Sequence, residues 1–371
     1  MRTLVVSDLH LGTHTHNDVL RRPGLRAPLL EAVQSADRLV LLGDAIELRH
    51  GPVRDALAAA REVFAGLGEA LGAGGEVVII AGNHDHHLAE PWLERRARKS
   101  APPPLSLESA VDWRAGETLA TIARWLAPAS VRSAYPGVWL REKVYATHGH
   151  FCDRHTTVPM LERIGAGVMA RIVHEPAGGP RRVEDYEATL APIYAWIHAV
   201  AQSGGPDLGA SSHGASAQAW QALSSPGEWP SWRARALAAG FPALVAALNR
   251  ARLGPVRADL SGPSLRRAAL ASFAEVVARL QIAADHVIFG HTHRAGPLPT
   301  DDGVEWLMPS GTRLLNTGSW VHEPGFIGEA AAGSPYWPGR CVSLADDGPP
   351  ELLGLLAAVA PEALRNPGPP A

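Results

Sequence analysis

The sequence predicts an α/β fold interrupted by a large helical insertion, and two patterns carry that expectation. Five short apolar runs end abruptly in polar residues. They are Leu4–Val6 before Ser7-Asp8, Leu39–Leu42 before Gly43-Asp44, Val77–Ile80 before Ala81-Gly82-Asn83, Val144–Ala146 before Thr147-His148, and Val287–Phe289 before Gly290-His291. Apolar runs of this length without alternation read as strands buried on both faces. Helical spacing fills the intervals between the first three, as in Asp55–Leu71 with Leu57, Ala60, Val63, Phe64 and Leu67. Strand, helix, strand in alternation implies crossover connections and an α/β sheet.

The character changes after the fourth run. Helical spacing recurs at Val158–Ile172, Val183–Ala201, Ser216–Leu223, Ser231–Leu253 and Ser264–Ala283, broken by clusters such as Gly178-Gly179-Pro180 and Ser225-Pro226-Gly227, with no strand pattern. The expected organisation is a discontinuous core over 1–158 and 283–350 and a helical insertion or cap over 159–282. A C-terminal segment, 351–371, ends in a frayed tail. Helices that merely cover one sheet face fit the insertion equally well.

Composition narrows the function. Hydrophobic residues make up 46 % of 371, enough for a large core. Lys plus Arg number 34 against 37 Asp plus Glu, for a net charge of −3. That balance lacks the basic footprint a dedicated nucleic-acid binder needs, so no nucleic-acid partner is expected. Two cysteines, Cys152 and Cys341, cannot build a disulfide framework or a thiolate zinc site, and a reducing, cytoplasmic setting is expected. The apolar stretch at the N-terminus is too short for a signal-peptide core. The uncharged run 236–249 falls short of the roughly 20 residues of a membrane span, which leaves only peripheral membrane contact open.

Eleven of the 17 histidines fall in four clusters near the polar ends of these runs: His10, His14 and His16; His84, His86 and His87; His148, His150 and His155; His291 and His293. Asp8, Asp44, Asn83 and Asp85 join them. Sites in α/β sheets form outside the carboxyl ends of strands, where loops converge. Each piece is weak alone, since a strand-end Asp often caps the next helix. Five strand ends that all present imidazole, carboxylate or amide groups are what a metal site needs.

With Asp8-x-His10, Gly43-Asp44, Gly82-Asn83-His84-Asp85, His148 after a strand and Gly290-His291-x-His293 in this order, the chain resembles the calcineurin-like metallophosphoesterase superfamily over roughly 1–150 and 283–345. The resemblance implies a four-layered α/β/β/α sandwich around two divalent metal ions. It implies one metal held by Asp8, His10, Asp44 and His293, and another held by Asp44, Asn83, His148 and His291, with Asp44 as the bridge. His84 would stabilise phosphoryl charge or protonate the leaving oxygen, and Asp85 would orient it, against the competing reading of Asp85 as a helix cap. His150, Asp153 and Arg294 are candidate substrate contacts. Mixed carboxylate, imidazole and amide ligands suit Mn²⁺ first, with Fe²⁺ or Zn²⁺ as alternatives. Two such ions about 3.5–4 Å apart can share a hydroxide and clamp an in-line displacement at phosphorus.

Within that superfamily, Ser7-Asp8-Leu9-His10-Leu11-Gly12, Gly290–Arg294 and His148-Gly-x-x-Cys152 look most like the UDP-2,3-diacylglucosamine hydrolase group. That group carries Arg where this chain has His84 and Asp where it has His150, and its insertion is much shorter. Only the reaction class therefore transfers: hydrolysis of a phosphoester or pyrophosphate in a small-molecule phosphate, lipid- or nucleotide-linked substrates included. A nuclease is disfavoured by the charge balance, and a protein phosphatase by the insertion over a site that should be a shallow groove. A non-catalytic scaffold would be expected to have lost ligands, and none is missing.

Overall fold

The computed structural model describes residues 1–158, 161–203, 245–251, 253–257, 259 and 262–365. It divides into two compact units, residues 1–149 with 283–371 and residues 150–282. The expected segments 216–223 and 231–244 lie outside the described residues.

The first unit is built on a large mixed sheet. Its strands are β1 (Thr3–Val6), β2 (Arg38–Leu42), β3 (Glu76–Ile80), β4 (Glu108–Ala110), β5 (Ser130–Arg141), β6 (Val144–Thr147), β7 (His286–Phe289), β8 (Arg313–Asn316), β9 (Arg340–Leu344) and β10 (Glu351–Gly354). The order across the sheet is β10-β9-β1-β2-β3-β5-β6-β7-β8, with β4 paired to β5. Strands β1, β2 and β3 run parallel, in register Leu4↔Leu39 and Leu39↔Val77. Strands β6, β7 and β8 form a second parallel set, with Tyr145↔Val287 and Val287↔Leu314.

β5 joins the two sets. Its first half pairs with β3, and from Gly137 onward it pairs antiparallel with β6. Pro136 and Gly137 make this segment read as a break in the sequence, because proline cannot donate to a central ladder. Here the proline stands where the strand leaves one neighbour for the other. The sheet also folds back on itself. β1 and β7 are five strand spacings apart along the ladder, about 24 Å if flat, yet the His291 amide just past β7 donates to Asp8 Oδ2 just past β1 at 3.0 Å. Val5, Val40, Leu42, Val78 and Ile80 of one layer then share a buried cluster with Val138, Leu140, Val144, Ile288 and Leu315 of the other. This is the pair of β layers that an α/β/β/α sandwich requires.

Four helices accompany the first three crossovers and the approach to β5. α1 (Pro23–Gln34), α2 (Val53–Leu71), α3 (Glu90–Ala97) and α4 (Thr118–Trp125) follow in chain order. α2 buries Ala56, Ala60, Val63, Phe64 and Leu67, the stripe expected from spacing except that Ala56 takes the place of Leu57, and it stops at Gly72 with φ +74°. A left-handed residue after a helix is most easily a glycine.

The second unit is helical: a 3₁₀ segment at His150–Arg154, then α5 (Leu161–Ile172), α6 (Val183–Gln202) and α7 (Gly262–Arg279). Among the described residues it holds no strand. α5 packs on α6, where Gly165 leaves room for Ile193. No helix among the described residues is long and apolar enough to cross a membrane.

Candidate metal centre

Parallel strands end on the same side, and that geometry gathers the site. Asp8 and His10 follow β1, Asp44 follows β2, Asn83 and His84 follow β3, His148 follows β6, and His291 and His293 follow β7. Backbone bonds tie the loops together: Asp8 N to Gly43 O at 3.1 Å, His10 N to Asp44 O at 2.8 Å, and Gly290 N to His148 O at 2.9 Å. Asp8, His10, Asp44, His291 and His293 all have φ between +44° and +67°. Left-handed backbone is unfavourable for side chains with a Cβ and collects at functional sites. The motif glycines allow close approach. A Cβ on Gly43, whose φ is +84°, would enter the His148 ring, and one on Gly290 would strike Ser7 Oγ and Asp8 Oδ2.

Two clusters of lone-pair donors result, and Asp44 belongs to both. In one, His10 Nε2 lies 3.0 Å from His293 Nε2, Asp8 Oδ1 lies 3.4 Å from His293 Nε2, and Asp44 Oδ2 lies 3.8 Å from His10 Nε2. In the other, His148 Nε2 lies 3.1 Å from Asp44 Oδ2, and Asn83 faces His291 Nδ1 at 3.0 Å and His148 Nε2 at 3.2 Å. Six of the seven residues are buried, and His291 is half-buried.

A divalent cation fits this donor set. Asp8 Oδ2 accepts from Ser7 Oγ and the His291 amide, but buried Asp8 Oδ1 accepts no hydrogen bond, and buried polar atoms are otherwise almost always paired. The electrostatics agree. Burial alone would raise the Asp44 carboxyl, yet His148, His84 and His10 outweigh it and hold it well below the usual carboxylate range. Asp8 is held down in the same way by His148, His10 and His293. Against the cost of burial, the carboxylates of Glu323 and Asp8 push His293 up to about 9. The carboxylates therefore demand positive charge, which protonated imidazoles supply and a metal ion supplies equally. Asn83 answers the same demand. With its nitrogen toward His148, His291 and Asp44, its oxygen accepts from Arg49 Nη1 at 2.9 Å; a cation among those acceptors reverses the preference at that end.

Behind the clusters stand groups the sequence reading did not single out. Glu47 Oε2 lies 3.0 Å from His10 Nδ1 and 2.8 Å from His84 Nδ1, and Glu323 Oε2 lies 3.1 Å from His293 Nδ1. The carbonyl of Leu42 accepts from His148 Nδ1 at 2.9 Å. Such partners fix an imidazole's tautomer, so that its other nitrogen presents a lone pair. Position three residues after Asp44 was the one sequence cue for Glu47; Glu323 had none.

His84 is buried beside His10, ring centroids 4.6 Å apart. Burial, with help from Arg49 and His10, lowers its pKa to about 4 against the pull of Glu47 and Asp44. The carboxylate on its ring is Glu47's. Asp85 instead accepts from the amides of Gly82, Ala45 and Asp44 at 2.6, 2.8 and 3.1 Å, stitching the loops after β2 and β3, and makes no side-chain helix cap. Arg294 is ion-paired with Asp301 and lies over Trp306. His150 and Asp153 are buried in the helical unit, His150 against Phe151 and Tyr194, Asp153 within 3.5 Å of the Tyr194 hydroxyl.

The calcineurin-like phosphoesterase family matches residues 1–217, more than half of the chain. The chain belongs to that family. It is a metal-dependent phosphoesterase, a hydrolase of phosphate-containing small substrates, in a family that typically uses two divalent metals. No curated protein matches it. Among solved structures, this phosphoesterase is similar to a cold-active protein-tyrosine phosphatase of a psychrophilic Shewanella species, at 13 % identity and a TM-score of 0.28, covering 95 % of this chain and 80 % of that one. A point mutant of a cold-active protein tyrosine phosphatase scores 0.25 at 12 % identity with the same coverage.

Proposed function

We propose that this phosphoesterase is binuclear and cleaves a phosphoester or pyrophosphate bond in a small, lipid- or nucleotide-linked phosphate. The observation that carries the reading is Asp44, whose Oδ2 reaches His10 in one donor cluster and His148 in the other. Asp8, His10, Asp44 and His293 would hold one ion, and Asp44, Asn83, His148 and His291 the other. Mn²⁺ is the first choice for such ligands, and buried free Cys152 and Cys341 suit a reducing cytoplasm. When bound, a pair of divalent ions supplies an acidified water and the positive charge that in-line displacement at phosphorus requires.

The chain's own residues do the rest. Glu47, Glu323 and the Leu42 carbonyl accept hydrogen bonds from Nδ1–H of His10, His293 and His148 and so aim each Nε2 into the clusters. Asp85 holds the Asp44 and Gly82 loops at fixed separation. His84 faces a stricter condition. A carboxylate can only accept, so His84 Nδ1 must carry the proton shared with Glu47. Donation from Nε2 to a phosphoryl or leaving oxygen then requires the imidazolium, which a neighbouring phosphate dianion favours.

The test is metal content by elemental analysis, together with turnover of p-nitrophenyl phosphate and bis-p-nitrophenyl phosphate. Two ions per chain are expected, with activity lost to a chelator and restored by Mn²⁺. One ion per chain at full activity would overturn the binuclear reading. A screen of nucleotides, nucleotide-sugars and phospholipid precursors then selects the substrate.

A further inference from the structure

The helical unit contains a cavity of about 720 Å³ whose described lining carries the guanidinium groups of Arg154, Arg163, Arg257, Arg267 and Arg279. Among the described residues, Glu175, Asp259 and Glu275 are the lining carboxylates. Two of the arginines are already matched: Arg154 pairs with Glu175, and Arg279 pairs with Glu275 while also binding the carbonyls of Gly178 and Pro180. Arg163, Arg257 and Arg267 have no ion pair among the described residues. Arg257 and Arg267 are exposed, as groups at a cavity mouth would be.

Arg163 is the telling member. It is 2 % exposed, its Nε donates to the Thr156 carbonyl at 2.9 Å, and its buried Nη1 has no acceptor. A buried guanidinium on the wall of a cavity, with one donor left unused, lacks an oxyanion. Burial, with Arg154 nearby, lowers its pKa to about 10 against the opposing pull of Glu175. His155 on the same wall is depressed by burial and by Arg154, Arg279 and Arg163.

We propose that this cavity is an anion site for a phosphate group, bound by Arg163 from within and by Arg257 and Arg267 from the mouth. Planar guanidinium forks match tetrahedral phosphate oxygens, and three unpaired cations favour a doubly charged ligand over a monocarboxylate. The volume falls in the range of small-molecule sites and exceeds what inorganic phosphate fills, while Val158, Pro255 and Ala271 give it apolar wall. The ligand chemistry is phosphate, either free or carried on an organic body.

The test is calorimetric titration of the full, metal-loaded chain with inorganic phosphate and, separately, with a non-hydrolysable alkylphosphonate. Wild type should bind two phosphates per chain. R257A/R267A should lose one of them, at least tenfold in affinity, with metal content and melting temperature unchanged. R163L should lose the same site, and the exposed pair keeps the test informative if that core variant does not fold. Tighter binding of phosphate identifies the free anion as the ligand, and tighter binding of the phosphonate identifies a phosphate-bearing organic molecule. One phosphate per chain in wild type, or a second site intact in R257A/R267A, overturns the proposal.

Discussion

Glu47 Oε2 accepts from His84 Nδ1 at 2.8 Å, joining two loops 37 residues apart. The same oxygen is 3.0 Å from His10 Nδ1, so one buried carboxylate orients a candidate ligand and the candidate acid together. Glu47→Gln keeps the shape but removes the charge and half of the accepting capacity. Metal affinity should fall by about 10–100-fold, the usual cost of losing such a partner, and turnover should fall with it. Chelator-competition titration and steady-state kinetics measure both. Wild-type values for each would show that Glu47 orients nothing.

Asp44→Asn removes the charge at the position common to both clusters. The variant should lose most bound metal and nearly all turnover, read by elemental analysis and p-nitrophenyl phosphate hydrolysis. Near-normal activity would end the assignment of Asp44 as a bridge.

Much of the site was legible because chemistry and strand ends coincide in the sequence. Asp8, His10, Asp44, Asn83, His148, His291 and His293 each follow an apolar run directly, and parallel strands deliver such positions to one rim without further information. β5 was not legible, because Pro136 and Gly137 disguise a strand that changes partners midway. Glu323 was not legible either: its role exists only once the fold sets it 3.1 Å from His293. Asp85 carries the opposite lesson. Its neighbour in sequence is His84, but its neighbours in space are backbone amides of two other loops.

His84→Ala should retain both metals and lose about 10²–10⁴-fold in rate, the range for general acid catalysis. The loss should shrink for p-nitrophenyl substrates, whose leaving group needs little protonation. Because donation requires the imidazolium, the ratio of wild-type to variant kcat/KM should grow as pH falls. Loss of metal from the variant would make His84 a ligand instead.

Close packing at the rim gives a paired test. A Cβ at Gly82 would lie 2.7 Å from His148 Cδ2 and 2.8 Å from the Asp44 amide, whereas one at Gly24 in α1 would meet nothing. Gly82→Ala should cost about 1–3 kcal/mol and weaken metal binding. Gly24→Ala should stabilise by about 0.5–1 kcal/mol, since alanine is the better helix residue. Thermal unfolding of both separates a packing constraint from general intolerance; equal effects would contradict it.

The helical unit should carry a pH signature of its own. His155 is half-buried, its Nε2 is 2.7 Å from the Tyr186 hydroxyl, and burial together with Arg154, Arg279 and Arg163 lowers its pKa to about 3. The folded pKa thus lies below the unfolded value near 6.5. Above pH 6.5 neither state is protonated, and His155 contributes no slope. Between pH 6.5 and about 3 the unfolded chain takes up a proton that the folded chain refuses, so stability falls as pH falls, by at most about 1.4 kcal/mol per pH unit. His155→Gln keeps a hydrogen-bonding side chain and removes the titration. The difference between wild type and variant, followed by denaturant unfolding in phosphate-free buffer, should be flat above pH 7 and shift in favour of the variant below pH 6. A difference that stays constant from pH 8 to pH 5 would mean that His155 is protonated as readily in the folded chain as in the unfolded one.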